Sequence, residues 1–118
     1  QESMDDPVLP NIGTDLLANA LGAVQLEPTL STIHGIKTDP GPTFEGTSLT
    51  QFRVPPGSPY DIHGFAARET PAGDAALGQI IEYLTTAWDD EKPVMAFPEG
   101  CSVTPTGNCD FSSMWSED

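Results

Sequence analysis

The sequence predicts an α+β fold in which one main amphipathic helix packs on a small, mostly antiparallel sheet. Three observations carry that prediction. An apolar stripe at helical spacing runs through residues 77–88, short β-branched or alternating runs are separated by Pro/Gly turns, and two cysteines are placed to close a small disulfide loop. The chain has 118 residues, which fits one domain. Residues 1–13 read as an extended N-terminal arm, 14–109 as a single small domain, and 110–118 as an acidic C-terminal tail.

The arm holds Pro7, Pro10, three acids and Gly13, none of which favours regular structure. Thr14 or Asp15 is then expected to cap a short helix running through Val24, with Leu16, Leu17, Ala20, Leu21 and Val24 on one face. Pro28 ends any continuation. Leu30 to Lys37 is short, apolar and β-branched and reads as a strand, closed by the turn Asp39-Pro40-Gly41-Pro42. Phe44 to Val54 reads as a second strand, in which Thr50, Phe52 and Val54 alternate with Gln51 and Arg53. The run Pro55-Pro56-Gly57-Ser58-Pro59 stops it, and Tyr60 to Ala66 is a third candidate strand.

The clearest element follows. Thr70 suits the N-cap, Pro71 suits the first helical position, and Asp74 lies at the positive end of the helix dipole. Leu77, Ile80, Ile81, Leu84 and Trp88 then repeat at helical spacing. Asp89, Asp90 and Glu91 stand at the opposite end, where negative charge is unfavourable, and Pro93 forbids further helix. Val94 to Phe97 reads as a short buried strand. Between Cys101 and Cys109 lie Pro105, Gly107 and Asn108, residues that turn a chain back on itself. A disulfide closing this loop is worth roughly 2.5 kcal/mol by the chain-entropy relation. It also implies an oxidising compartment.

Composition narrows the functional classes. Eighteen acids stand against four bases, for a net charge of −14. Such a surface repels nucleic-acid phosphates and anionic membranes, so neither is expected as a partner. Its self-repulsion eases as pH falls, which suits an acidic extracellular medium; high salt or a basic partner are the other readings of the same charge. A Gln start without a leader segment is the form of a processed secreted chain, so the expected location is secreted and extracellular. Leu, Ile, Val and Phe together number 25, a thin supply for the core of a chain this charged.

Catalytic signatures are few. The tripeptide Ile-His-Gly occurs at 33–35 and again at 62–64 and holds both histidines of the chain. His63 and Asp61 are two apart, so a strand would point both side chains the same way. With His34 they would form a three-ligand set for a divalent ion, with Glu45 as base. Asp-x-His is a common pattern, and two similar strand-end turns account for the echo more simply. No serine sits in a Gly-x-Ser-x-Gly elbow, and no Gly-rich phosphate loop occurs. The sequence therefore predicts no catalytic residue and no cofactor.

The other reading is a small, secreted, non-catalytic protein that acts by protein–protein interaction. An accessory subunit of a larger extracellular enzyme, an inhibitor or an effector would each fit, with another protein as partner in a hetero-oligomer. Val8, Leu9 and Ile12 on one terminal segment and Phe111, Met114 and Trp115 on the other are its candidate anchors, because aromatic and Met side chains on polar arms suit a partner surface. The metal-dependent enzyme using His34, Asp61 and His63 is the alternative.

Overall fold

The computed structural model describes residues 1–8, 10–55 and 62–114. In chain order the elements are β1 (Glu2–Ser3), α1 (Asn11–Ala20), β2 (Val24–Leu26), β3 (Thr38–Asp39), β4 (Thr43–Glu45), β5 (Ser48–Leu49), β6 (Gln51–Phe52), α2 (Pro71–Asp89) and β7 (Val94–Ala96). Two 3₁₀ turns, Phe65–Ala67 and Glu99–Val103, flank α2 in the chain. The fold is α+β, but its sheets are mixed and not mostly antiparallel. β1 runs parallel to β6, β2 runs parallel to both β3 and β5, and among the described residues only β4 and β7 pair antiparallel.

Several expected elements differ for one reason: buried polar side chains, and not strand ladders, hold the irregular segments. The run 30–37 is not a strand. Gln25, fully buried on β2, donates from Nε2 to the Ser31 carbonyl at 2.7 Å and fixes this crossover from within. Gln51 Oε1 accepts from the amides of Leu30 and Ser31, at 3.1 and 2.9 Å. Phe44 to Val54 is broken into three short strands. Of the candidate strand 60–66, Tyr60 and Asp61 lie outside the described residues, and Phe65–Ala67 is a 3₁₀ turn.

The N-terminal segment is not a free arm. The amides of Glu2 and Met4 donate to the carbonyls of Thr50 and Phe52, at 2.9 and 2.7 Å, and Glu2 is only 3% exposed. α1 begins three residues before Thr14, directly after Pro10. Asn11 explains the earlier start: its Nδ2 donates to Glu2 Oε1 and to the Ser3 carbonyl, which ties the first helical turn to β1. Val24, expected at the end of this helix, belongs instead to β2. The C-terminal segment is also anchored for longer than its polarity suggests. Arg53 N donates to Cys109 O, and Phe111 N donates to Arg53 O at 2.8 Å.

Two apolar clusters form. Phe52, Phe65, Ala72, Ala75, Ala76, Phe111 and the disulfide Cys101–Cys109 make one, with the Phe52 and Phe65 rings 5.1 Å apart. Ala18, Ala23, Ile33, Ile36 and Leu49 make the other. In both repeats of Ile-His-Gly the chain turns and buries its apolar residues: Ile33 and Ile36 in one case, Phe65 in the other. Neither repeat is itself strand: residues 33–35 are irregular, and Ile62 and His63 are helical.

α2 forms where its signals place it. The Thr70 hydroxyl accepts from the amide of Gly73 at 3.1 Å, and Pro71 opens the first turn. Its orientation is the unexpected feature. The buried residues are Ala72, Gly73, Ala75, Ala76 and Gln79, and these pack against β7 and the two 3₁₀ turns. Small side chains let backbones approach closely. A Cβ on Gly73 would lie 2.0 Å from the Arg68 carbonyl oxygen, and one on Gly100 would lie 2.8 Å from the Ala75 Cβ.

Candidate interaction surface

With its small face turned inward, α2 turns its large side chains outward. Leu77, Ile80, Ile81, Leu84 and Trp88 are all exposed, from 37% at Ile80 to 87% at Trp88. At 100° per residue this stripe is centred about 130° from the buried face, and from Leu77 to Trp88 it extends about 17 Å along the axis. Bulk and hydropathy would place it in the core. Hydrogen bonding decides otherwise. Gln79, 2% exposed, donates from Nε2 to Thr50 Oγ1 at 2.8 Å and to the Ala96 carbonyl at 2.7 Å. Its Oε1 accepts from the Gln1 amide at 2.9 Å. Rotating α2 to bury the stripe would strip all three bonds from a buried amide, which is costly.

α1 repeats the inversion on a smaller scale. Asn11, Asp15 and Ala18 lie toward the body, while Ile12, Leu16, Leu17 and Leu21 are exposed. Apolar side chains scattered singly on a surface need no explanation, but rows of four and five along two helices go beyond that pattern. The five acids on and just beyond α2, Asp74, Glu82, Asp89, Asp90 and Glu91, border its stripe, and residues 71–91 contain no Lys or Arg. Glu91 takes a left-handed backbone, φ 55°, as the chain leaves the helix. Thr86 then locks the exit, its Oγ1 accepting from the Val94 amide at 3.0 Å.

The anchors expected from the sequence separate. Val8 and Ile12 are exposed, at 49% and 68%, and Met114 is 41% exposed. Ile12 sits on α1 and not on an arm. Phe111 is 2% exposed and packed in the core beside the disulfide, which removes it from any surface. Leu9 and Trp115 lie outside the described residues. The α2 stripe is readable in sequence as a periodicity, and an amphipathic helix packed on a sheet would turn it inward, whereas the structure turns it outward. The signal that could have reversed this is the second stripe, Ala72, Ala75, Ala76 and Gln79, at the same spacing on the other side of the helix.

Among the described residues no three His, Cys, Asp or Glu side chains form a group able to hold an ion, and Asp61, one of the three ligands expected with His34 and His63, lies outside them. His63 Nδ1 lies 2.8 Å from Asp6 Oδ2 and fastens its turn to the N-terminal segment. His34 is exposed, and its carbonyl accepts from Asn19 Nδ2 at 3.2 Å. Glu45 is exposed on β4, and Asp61 lies outside the described residues.

Glu2 and Asp110 depart from their ordinary ionisation. Burial, reinforced by the nearby Asp15 charge, raises the Glu2 pKa, and the hydrogen bonds it accepts from Gln51 and Asn11 do not offset this. Burial also acts to raise Asp110. The hydroxyl and amide of Ser112 and the Arg53 guanidinium, 3.1 Å away, outweigh it and hold Asp110 below the usual carboxylate range. Both groups tie terminal segments to the body.

No family model matches this chain, and neither a curated protein nor a solved structure is detectably similar to it. Among the described residues no helix is long and apolar enough to cross a membrane.

Proposed function

We propose that this chain is a non-catalytic subunit of a hetero-oligomer and acts by docking its helices on another protein, with secretion as its route to the site of action. The observation that carries the reading is the exposed stripe Leu77, Ile80, Ile81, Leu84 and Trp88. A face of this kind is stable in water when a partner covers it, and Trp is the residue type most enriched at interface hot spots. The outward leucines of α1 supply a second row, which favours a lasting subunit contact over a brief encounter. The disulfide supports an oxidising, extracellular setting.

The test is the native mass of the untagged chain drawn gently from its source, beside an Ile81→Asp/Leu84→Asp variant. The expected result is a species heavier than the 12.5 kDa chain that contains a second polypeptide, and a variant that migrates alone. Wild-type chain that migrates alone at its own mass would overturn the proposal.

A further inference from the structure

Resting on that docking reading, we propose that the partner of α2 is a protein groove with an apolar floor and a rim of Lys and Arg side chains. The stripe would enter the groove, and Asp89, Asp90 and Glu91 would meet the basic rim beside Trp88. Charge complementarity points to this occupant. Residues 71–91 carry five acids and no base, and Lys92, just beyond them, is a single positive charge against these five. Three of these acids are consecutive at the C-terminal end of α2, where the helix dipole is already negative, and one lysine, Lys92, follows them, so further positive charge from a partner would relieve their mutual cost. The same end presents Trp88, 87% exposed, whose ring face attracts a guanidinium and would add to the pull of the adjacent carboxylates. A second copy of the chain is the wrong occupant, because each copy brings a net charge of −14 to the contact.

The probes are three synthetic peptides: an amphipathic helix with a Leu/Ile face bordered by Arg, the same helix bordered by Gln, and a scramble of the Arg peptide. Binding is read from Trp88 fluorescence in a Trp115→Phe chain, with sedimentation run in parallel. The Arg-bordered helix is expected to bind at least about 10-fold tighter than the Gln-bordered one at low ionic strength, with the gap closing as salt screens the rim. It should also outbind the scramble, which has no apolar face. Asp89→Asn/Asp90→Asn/Glu91→Gln should abolish the preference for Arg, while Leu84→Asp should weaken both helical peptides. Equal binding of the Arg- and Gln-bordered helices would overturn the basic rim and leave the docking reading standing. Binding that survives Leu84→Asp unchanged, or no binding of either helix, would count against docking through the stripe itself. Self-association abolished by Leu84→Asp would assign the face to a second copy and overturn the proposal.

Discussion

Single residues set how closely the parts approach. Gly73 lets the first turn of α2 lie against the 3₁₀ turn before it, and any Cβ there would penetrate the Arg68 and Phe65 carbonyl oxygens, at 2.0 and 2.8 Å. Both obstacles are backbone, so they cannot swing aside as a side chain would. Gly73→Ala is therefore expected to cost about 3 kcal/mol or more in urea unfolding, although alanine is the better helix former. Glu2 makes a prediction in pH. Its folded pKa is raised, so the folded state holds this proton more tightly than the unfolded chain does. The stability this contributes is complete below the ordinary carboxylate range and is lost as pH rises through the folded value. Glu2→Gln should flatten the stability profile on that side, with the variant gaining on wild type as pH climbs from acid to neutral. Parallel profiles would show that Glu2 ionises freely in the fold. Asp110 has the opposite sign: its contribution is present at neutral pH and is lost as pH falls through its depressed pKa.

At the scale of elements, Gln79 fixes the rotation of α2. Gln79→Leu keeps the volume and helix propensity but leaves Thr50 Oγ1, the Ala96 carbonyl and the Gln1 amide without their partner. A loss of about 1–3 kcal/mol is expected from denaturant titration, and an unchanged midpoint would remove the lock from the account. The elements also show where sequence reasoning holds and where it stops. The cap on Thr70, Pro71 at the helix start, the strand at 94–96 and the disulfide were all legible, because each depends on neighbours within a few residues. The parallel pairs were not. β1 with β6 joins Glu2 to Gln51, and β2 with β3 joins Gln25 to Thr38, through strands of two or three residues that are too short to show a period. Periodicity found both helices but could not say which face goes inward. The rule that large apolar side chains seek the core fails where buried amides such as Gln79, Gln25 and Gln51 supply the anchoring.

At the scale of the whole molecule, a short supply of core residues is divided between two clusters and completed by alanine, cysteine and buried polar groups. Leucine and isoleucine that would ordinarily fill such a core are placed on the helix exteriors instead. The chain's strongest apolar surface thus faces outward, within a field of excess negative charge. The candidate site was only partly legible for the same reason. Its residues were visible as a stripe, but their use was not, since an apolar helix face looks the same in sequence whether its cover is the chain's own sheet or another protein.

That distinction is measurable on the isolated chain. The most direct measurement is the unfolding free energy of Ile81→Asp/Leu84→Asp against wild type, from urea titration with the disulfide intact. If the stripe faces solvent, two surface substitutions should change stability by no more than about 1 kcal/mol. A loss of several kcal/mol, as expected for carboxylates forced into a core, would show that Ile81 and Leu84 are buried in the folded chain and would contradict the account.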